Sequence, residues 1–61
     1  MMLNYLVACK DQNGHTRRND TVCSDHYLTD RELLALCPNG EYLEVIILEG
    51  NRCLKIYTIE R

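Results

Sequence analysis

The sequence predicts an α+β fold, β-β-α-β-β, with a small antiparallel (or mixed) sheet and one short helix packed on one face. Three observations carry this expectation. Four segments read as strands, three of them rich in apolar residues at the period of two and one, between His15 and Cys23, polar. Two turn dipeptides, Asn13-Gly14 and Gly50-Asn51, each sit between two such segments. Thr29-Asp30-Arg31-Glu32 carries the signature of a helix start.

The first strand is expected over Leu3–Lys10, where Leu3, Tyr5, Val7 and Cys9 share a face. Asn13-Gly14 then predicts a tight turn with both residues at positive φ. A polar second strand follows from about His15 to Cys23. Its Arg17, Arg18, Asn19 and Asp20 suit a sheet edge, where charge discourages unwanted pairing. Thr29 is the expected N-cap and Glu32 its reciprocal partner, with Asp30 favourably placed for the helix dipole. Leu33, Leu34, Leu36 and Cys37 give a helix of about eight residues an apolar stripe, and Pro38-Asn39-Gly40 ends it. Glu41–Glu49 and Arg52–Glu60 read as two strands joined by a hairpin at Gly50-Asn51.

The chain has 61 residues, 46% of them hydrophobic and 26% charged, with 3 Gly and 1 Pro. One small domain over residues 1–61 is expected, and the composition excludes a disordered tail or a collagen-like repeat. No segment approaches the roughly 18 consecutive apolar residues of a membrane span. The apolar start MMLNYLVACK lacks a basic lead, so it does not read as a secretion signal, and the expected compartment is cytoplasmic.

The strand faces do not balance. Glu41–Glu49 carries Leu43, Val45 and Ile47 on one face and Tyr42, Ile46 and Leu48 on the other. In Arg52–Glu60, strict alternation sets Leu54 and Ile56 against Cys53, Tyr57 and Ile59. Leu6 and Ala8 add to an apolar face opposite Tyr5. A sheet apolar on both sides needs two covers, and the chain has one short helix. The second face is therefore expected to meet another molecule, with a second copy of the chain in a two-fold dimer as the first expectation. A strongly curled sheet, or loop residues such as Tyr27 and Leu28, would be the internal alternative.

Cys9, Cys23, Cys37 and Cys53 contain no CxxC pair. Cys9, Cys37 and Cys53 read as small core hydrophobes with free thiols, as expected in a reducing compartment. A disulfide framework would allow three pairings, among which spacing does not choose. Cys23-Ser24-Asp25-His26 is a single C-x2-H, half of what a structural zinc site needs. His26 beside Asp25 is half of a catalytic relay, with no motif that places a nucleophile. No cofactor and no catalytic residue are expected.

The formal net charge is −2, which argues against bulk nucleic-acid binding. Within Asp20–Glu49, seven acidic residues face Arg31 alone, a net of −6, while the flanking segments carry +2 each. An acidic middle can steer the chain toward a basic protein surface or serve as a solvated rim.

The expected function is a small, non-enzymatic, homodimeric protein-interaction module that binds and modulates or inhibits another protein. Asp30, Glu32 and Glu44 are the candidates for steering. Tyr42, Ile46, Leu48 and Tyr57 are the candidates for the partner-binding core. The alternatives are a zinc-stabilised domain using Cys23 and His26, or a weak nucleic-acid binder using Lys10, Arg17 and Arg18. The strand–turn–strand–helix–strand layout resembles, in architecture and size, small phage-encoded inhibitors of host enzymes such as those that block uracil-DNA glycosylase. No residue motif accompanies that resemblance, so it assigns no functional residue.

Overall fold

The computed structural model describes residues 1–61. Strands β1 (Leu3–Lys10), β2 (Thr16–Ser24), β3 (Tyr42–Glu49) and β4 (Arg52–Glu60) form one sheet in the order β2-β1-β3-β4, every pair antiparallel. Helix α1 (Asp30–Leu34) lies in the connection from β2 to β3. The polar strand β2 takes an edge, as its charges lead one to expect.

The core lies on the α1 side of the sheet. Leu3, Tyr5, Val7 and Cys9 of β1 and Leu43, Val45 and Ile47 of β3 are buried there, with Ile59 from β4 and Leu33 and Cys37 from the α1 segment. The central strands bury one full face because alternate side chains point the same way and neighbouring strands stand in register. The helix is shorter than expected, five residues in place of about eight. Its apolar stripe still reaches the core, because the turns after Leu34 carry Leu36 and Cys37 onto the same cluster.

Four contacts hold this short cover in place. The capping box forms in full: Glu32 N donates to Thr29 Oγ1 (3.1 Å) and Thr29 N donates to Glu32 Oε1 (3.2 Å). Tyr5 is fully buried and its hydroxyl accepts from Leu28 N at 2.9 Å, hooking the loop before α1 onto the central strand. At the other end, the Arg61 guanidinium donates to the Leu34 and Cys37 carbonyls, adding a side-chain clamp to the turn bonds that these carbonyls accept from Cys37 N and Gly40 N. Finally, Cys9 of β1 and Cys37 are joined by a disulfide with Cα atoms 5.9 Å apart. That bridge corrects the expectation of free thiols at these two positions. The two residues are 28 apart in sequence and meet because α1 folds back over β1. Closing a loop of that length removes about 3.5 kcal/mol of unfolded-state entropy in the chain-entropy treatment. Cys53, the third expected core thiol, is exposed.

Two turn geometries also differ from expectation. Only Gly14 (φ 81°) is left-handed in the first turn, not Asn13. Gly14 N donates to the Asp11 carbonyl (3.0 Å), and the Asp11 carboxylate accepts from the backbone N–H groups of Asn13 and His15, each at 2.9 Å. The turn is thus a three-residue loop ending in a glycine that can take positive φ without strain. The register shifts beside it, between Cys9 and Lys10, leaving Arg17 as the extra residue in β2. In the second turn Gly50 (φ 59°) alone is left-handed, which makes Gly50-Asn51 a type II′ turn. A second register shift, between Ile47 and Leu48, pairs Ile47 with Lys55 but Leu48 with Cys53. This bulge exchanges the faces expected for Cys53 and Leu54: Leu54 packs against the core, and Cys53 turns to the opposite side.

Two substitutions test this account. Thr29→Ala removes the hydroxyl that accepts from Glu32 N, while the reciprocal bond from the backbone N–H of residue 29 to Glu32 can persist, and should cost about 1 kcal/mol in urea unfolding. Tyr5→Phe strands the Leu28 N–H while keeping the ring, and should cost about 1 to 2 kcal/mol. A Tyr5→Phe midpoint equal to that of the parent chain would show that the hook contributes nothing.

Candidate interaction surface

The face of the sheet away from α1 has no cover. Because opposed residues in neighbouring strands share a face, the pairings place the open-face side chains in rows across the sheet. One row holds Cys23, Asn4, Leu48 and Cys53; the next holds Thr21, Leu6, Ile46 and Ile56. A third holds Asn19, Ala8, Glu44 and Thr58. Beyond it Lys10, Tyr42 and Glu60 complete the face. The apolar side chains therefore gather toward the β3–β4 turn and the polar ones toward the β1–β2 turn.

Exposure follows the same division. Ile56 is 70% exposed and Leu6 36%, while Ile46 and Leu48, on central β3, are half-buried by their neighbours. Small Ala8 leaves a depression of ≈ 320 Å³ between its flanking strands, with Leu6, Ile46 and Thr21 among its walls and Glu44 and Asn19 at its polar side. The Tyr42 hydroxyl reaches back to Gly14 in the first turn. Lys10 Nζ lies 3.6 Å from Glu44 Oε1, which neutralises the one carboxylate in the middle of the face.

The expected site residues are divided by this geometry. Tyr42, Ile46, Leu48 and Glu44 lie together on the open face. Tyr57 does not join them. It pairs with Val45 on the core side, half-buried, with Lys55 Nζ 4.5 Å from its ring centroid. Burial, with added repulsion from Asp30 and Tyr5, pushes the Tyr57 phenol above its ordinary pKa. Asp30 and Glu32 belong to α1 and sit on the far side of the molecule from Glu44. Two residues outside the expected site belong to the open face, Ile56, which alternation already sets opposite Tyr57 and Ile59, and Cys53. Only the bulge in β4 puts Cys53 there, and period-two counting does not reveal a bulge.

The candidates for other chemistry are dispersed. Cys9 and Cys37 are committed to their bridge, and no group of three or more His, Cys, Asp or Glu side chains converges as metal ligands would. The Cys23 thiol donates to Asn4 Oδ1 at 2.9 Å. His26 Nδ1 lies 2.8 Å from Asp25 Oδ1 on the surface. Among the cations, Lys10 is paired with Glu44 and Arg18 with Asp20, the latter at 2.8 Å. No helix is long and apolar enough to cross a membrane. No family model, curated protein or solved structure matches this chain.

The exposed carboxylates tie stability to pH. The hydrogen bond from His26 holds Asp25 below the usual carboxylate value, and the same contact holds His26 above its ordinary 6.5. The Asp11 turn bonds and the Glu32 capping bonds lower those two carboxyls in the same way. A lowered carboxyl contributes fully above its ordinary pKa and loses that contribution as pH falls through the lowered one. The raised His26 contributes below its ordinary pKa and loses that contribution as pH rises past the raised value. Urea midpoints should therefore fall on both flanks, and Asp25→Asn should flatten the alkaline one. Superimposable profiles for parent and variant would contradict the His26–Asp25 coupling.

Proposed function

We propose that this chain is a small, non-enzymatic protein-interaction module whose open sheet face docks a second copy of itself. The observation that carries the reading is the apolar half of that face, Leu6, Ile46, Leu48 and Ile56, which no part of the chain covers. Burying such side chains is worth about 25 cal/mol per Å². A slab 34 × 20 × 15 Å offers a broad side of the order needed for a standard interface, about 800 Å² per partner.

Face-to-face stacking leaves α1 outward on both sides. The acidic Asp30 and Glu32 then remain exposed, Glu32 with its charge held in the capping box, and steer the module toward a basic surface on a second protein, which it binds and modulates. Exposed thiols at Cys23 and Cys53 suit a reducing, cytoplasmic setting, and the Cys9–Cys37 bridge is buried away from reductants.

Light scattering tests the docking face. At a concentration on the order of 100 μM, the parent chain should have twice the mass of its 7.1 kDa monomer. Ile46→Asp should return it to one chain's mass. Ile56→Asp should do the same with an unchanged circular dichroism spectrum, since a residue so exposed can be charged without disturbing the monomer. A parent chain at monomer mass, or an Ile56→Asp variant still at double mass, would overturn the reading.

A further inference from the structure

We infer that Cys23 and Cys53 form a redox latch between two copies of the chain, each thiol pairing with the other residue in the second copy. The inference rests on the face-to-face docking proposed above and adds its geometry and its regulation.

The register supplies the geometry. Cys23 and Cys53 are the unbridged thiols, both exposed, and they occupy the two ends of a single row, Cys23–Asn4–Leu48–Cys53, on the open face. Within one chain they stand on opposite edge strands. Three strand spacings of about 4.8 Å separate them by about 14 Å, well beyond the roughly 7 Å limit for bridged Cα atoms. A bond between Cys23 and Cys53 therefore joins two molecules.

The uneven face selects how two copies stack. A two-fold axis lying across the strands at mid-sheet would set the apolar half of one copy on the polar half of the other. An axis running along the strands, midway between β1 and β3, sets apolar on apolar. That operation exchanges the two ends of every row. Leu6 of one copy comes to rest on Ile46 of the second, β2 lies over β4, and Cys23 lies over Cys53. The same axis generates the contact twice, once at each side of the sandwich. Packed sheets lie about 10 Å apart, and paired cysteines bridge two such sheets in immunoglobulin domains.

The chemistry balances with a small disulfide as oxidant. The Cys23 thiolate attacks glutathione disulfide, forming a mixed disulfide and releasing one glutathione. The Cys53 thiolate of the second copy then attacks the Cys23 sulfur, forming the inter-chain bond and releasing the second glutathione. Two thiols lose two protons and two electrons, and one glutathione disulfide becomes two thiols. Excess reduced glutathione reverses both steps. The latch would convert a concentration-dependent dimer into a covalent one under oxidising conditions.

The test is a mixing experiment with Cys23→Ser and Cys53→Ser, read on non-reducing gels after incubation with glutathione disulfide. Serine keeps a donor for Asn4 and removes only the sulfur. Each variant alone should stay at the mass of one chain on the gel. Their equal mixture should give a cross-linked dimer whose digest contains a Cys23–Cys53 peptide pair. Cross-linking of either variant with itself would overturn the assigned axis. No cross-link in the mixture, with a double mass in light scattering, would overturn the latch and leave the docking face standing. No cross-link with a single chain's mass would overturn both.

Discussion

A four-stranded sheet with aliphatic side chains on both faces needs two layers of cover, and this chain supplies one. α1 and the turns after it fill one side with Leu33 and Cys37. Nothing comparable lies against Leu6, Ile46 and Ile56. The arrangement is a two-layer structure with the material for a third layer missing. Everything distinctive about the surface follows from that shortage, including the division of the open face into an oily half and a polar half.

The single cover is itself marginal. Five helical residues are too few to be stable alone, since helix nucleation is costly and short segments do not repay it. The molecule compensates at every boundary of the segment. Reciprocal capping satisfies its first donors, Tyr5 anchors the loop before it, Arg61 takes two of its last carbonyls, and the Cys9–Cys37 bridge ties its exit to β1. Such a design concentrates order on one side of the sheet.

Much of this was legible before any coordinates. Alternation placed β1 and β4 at their observed bounds, and the capping box placed the start of α1. The apolar surplus on the second face could be counted from Glu41–Glu49 alone. What alternation could not convey were the two bulges, because an extra residue is invisible to a rule that counts in twos. That is why Leu54 and Cys53 were expected on the wrong faces. The Cys9–Cys37 pairing was equally hidden, since it depends on α1 crossing β1 rather than on spacing. Tyr57 is expected with Tyr42, Ile46 and Leu48 in the partner-binding core because alternation within one strand does not say which of its faces matches which face of the next; its pairing with Val45 commits it to the core side.

The bulges have one more effect, on the rims of the sheet. β2 is distorted at Arg17 and carries Arg18 beside it; β4 is distorted at Leu54, between Arg52 and Lys55. An irregular, cationic rim is a poor template for a further strand. Lateral growth into ribbons or fibrils is thereby disfavoured on both sides, and the pairing proposed above would use a surface that is spent once two molecules have met.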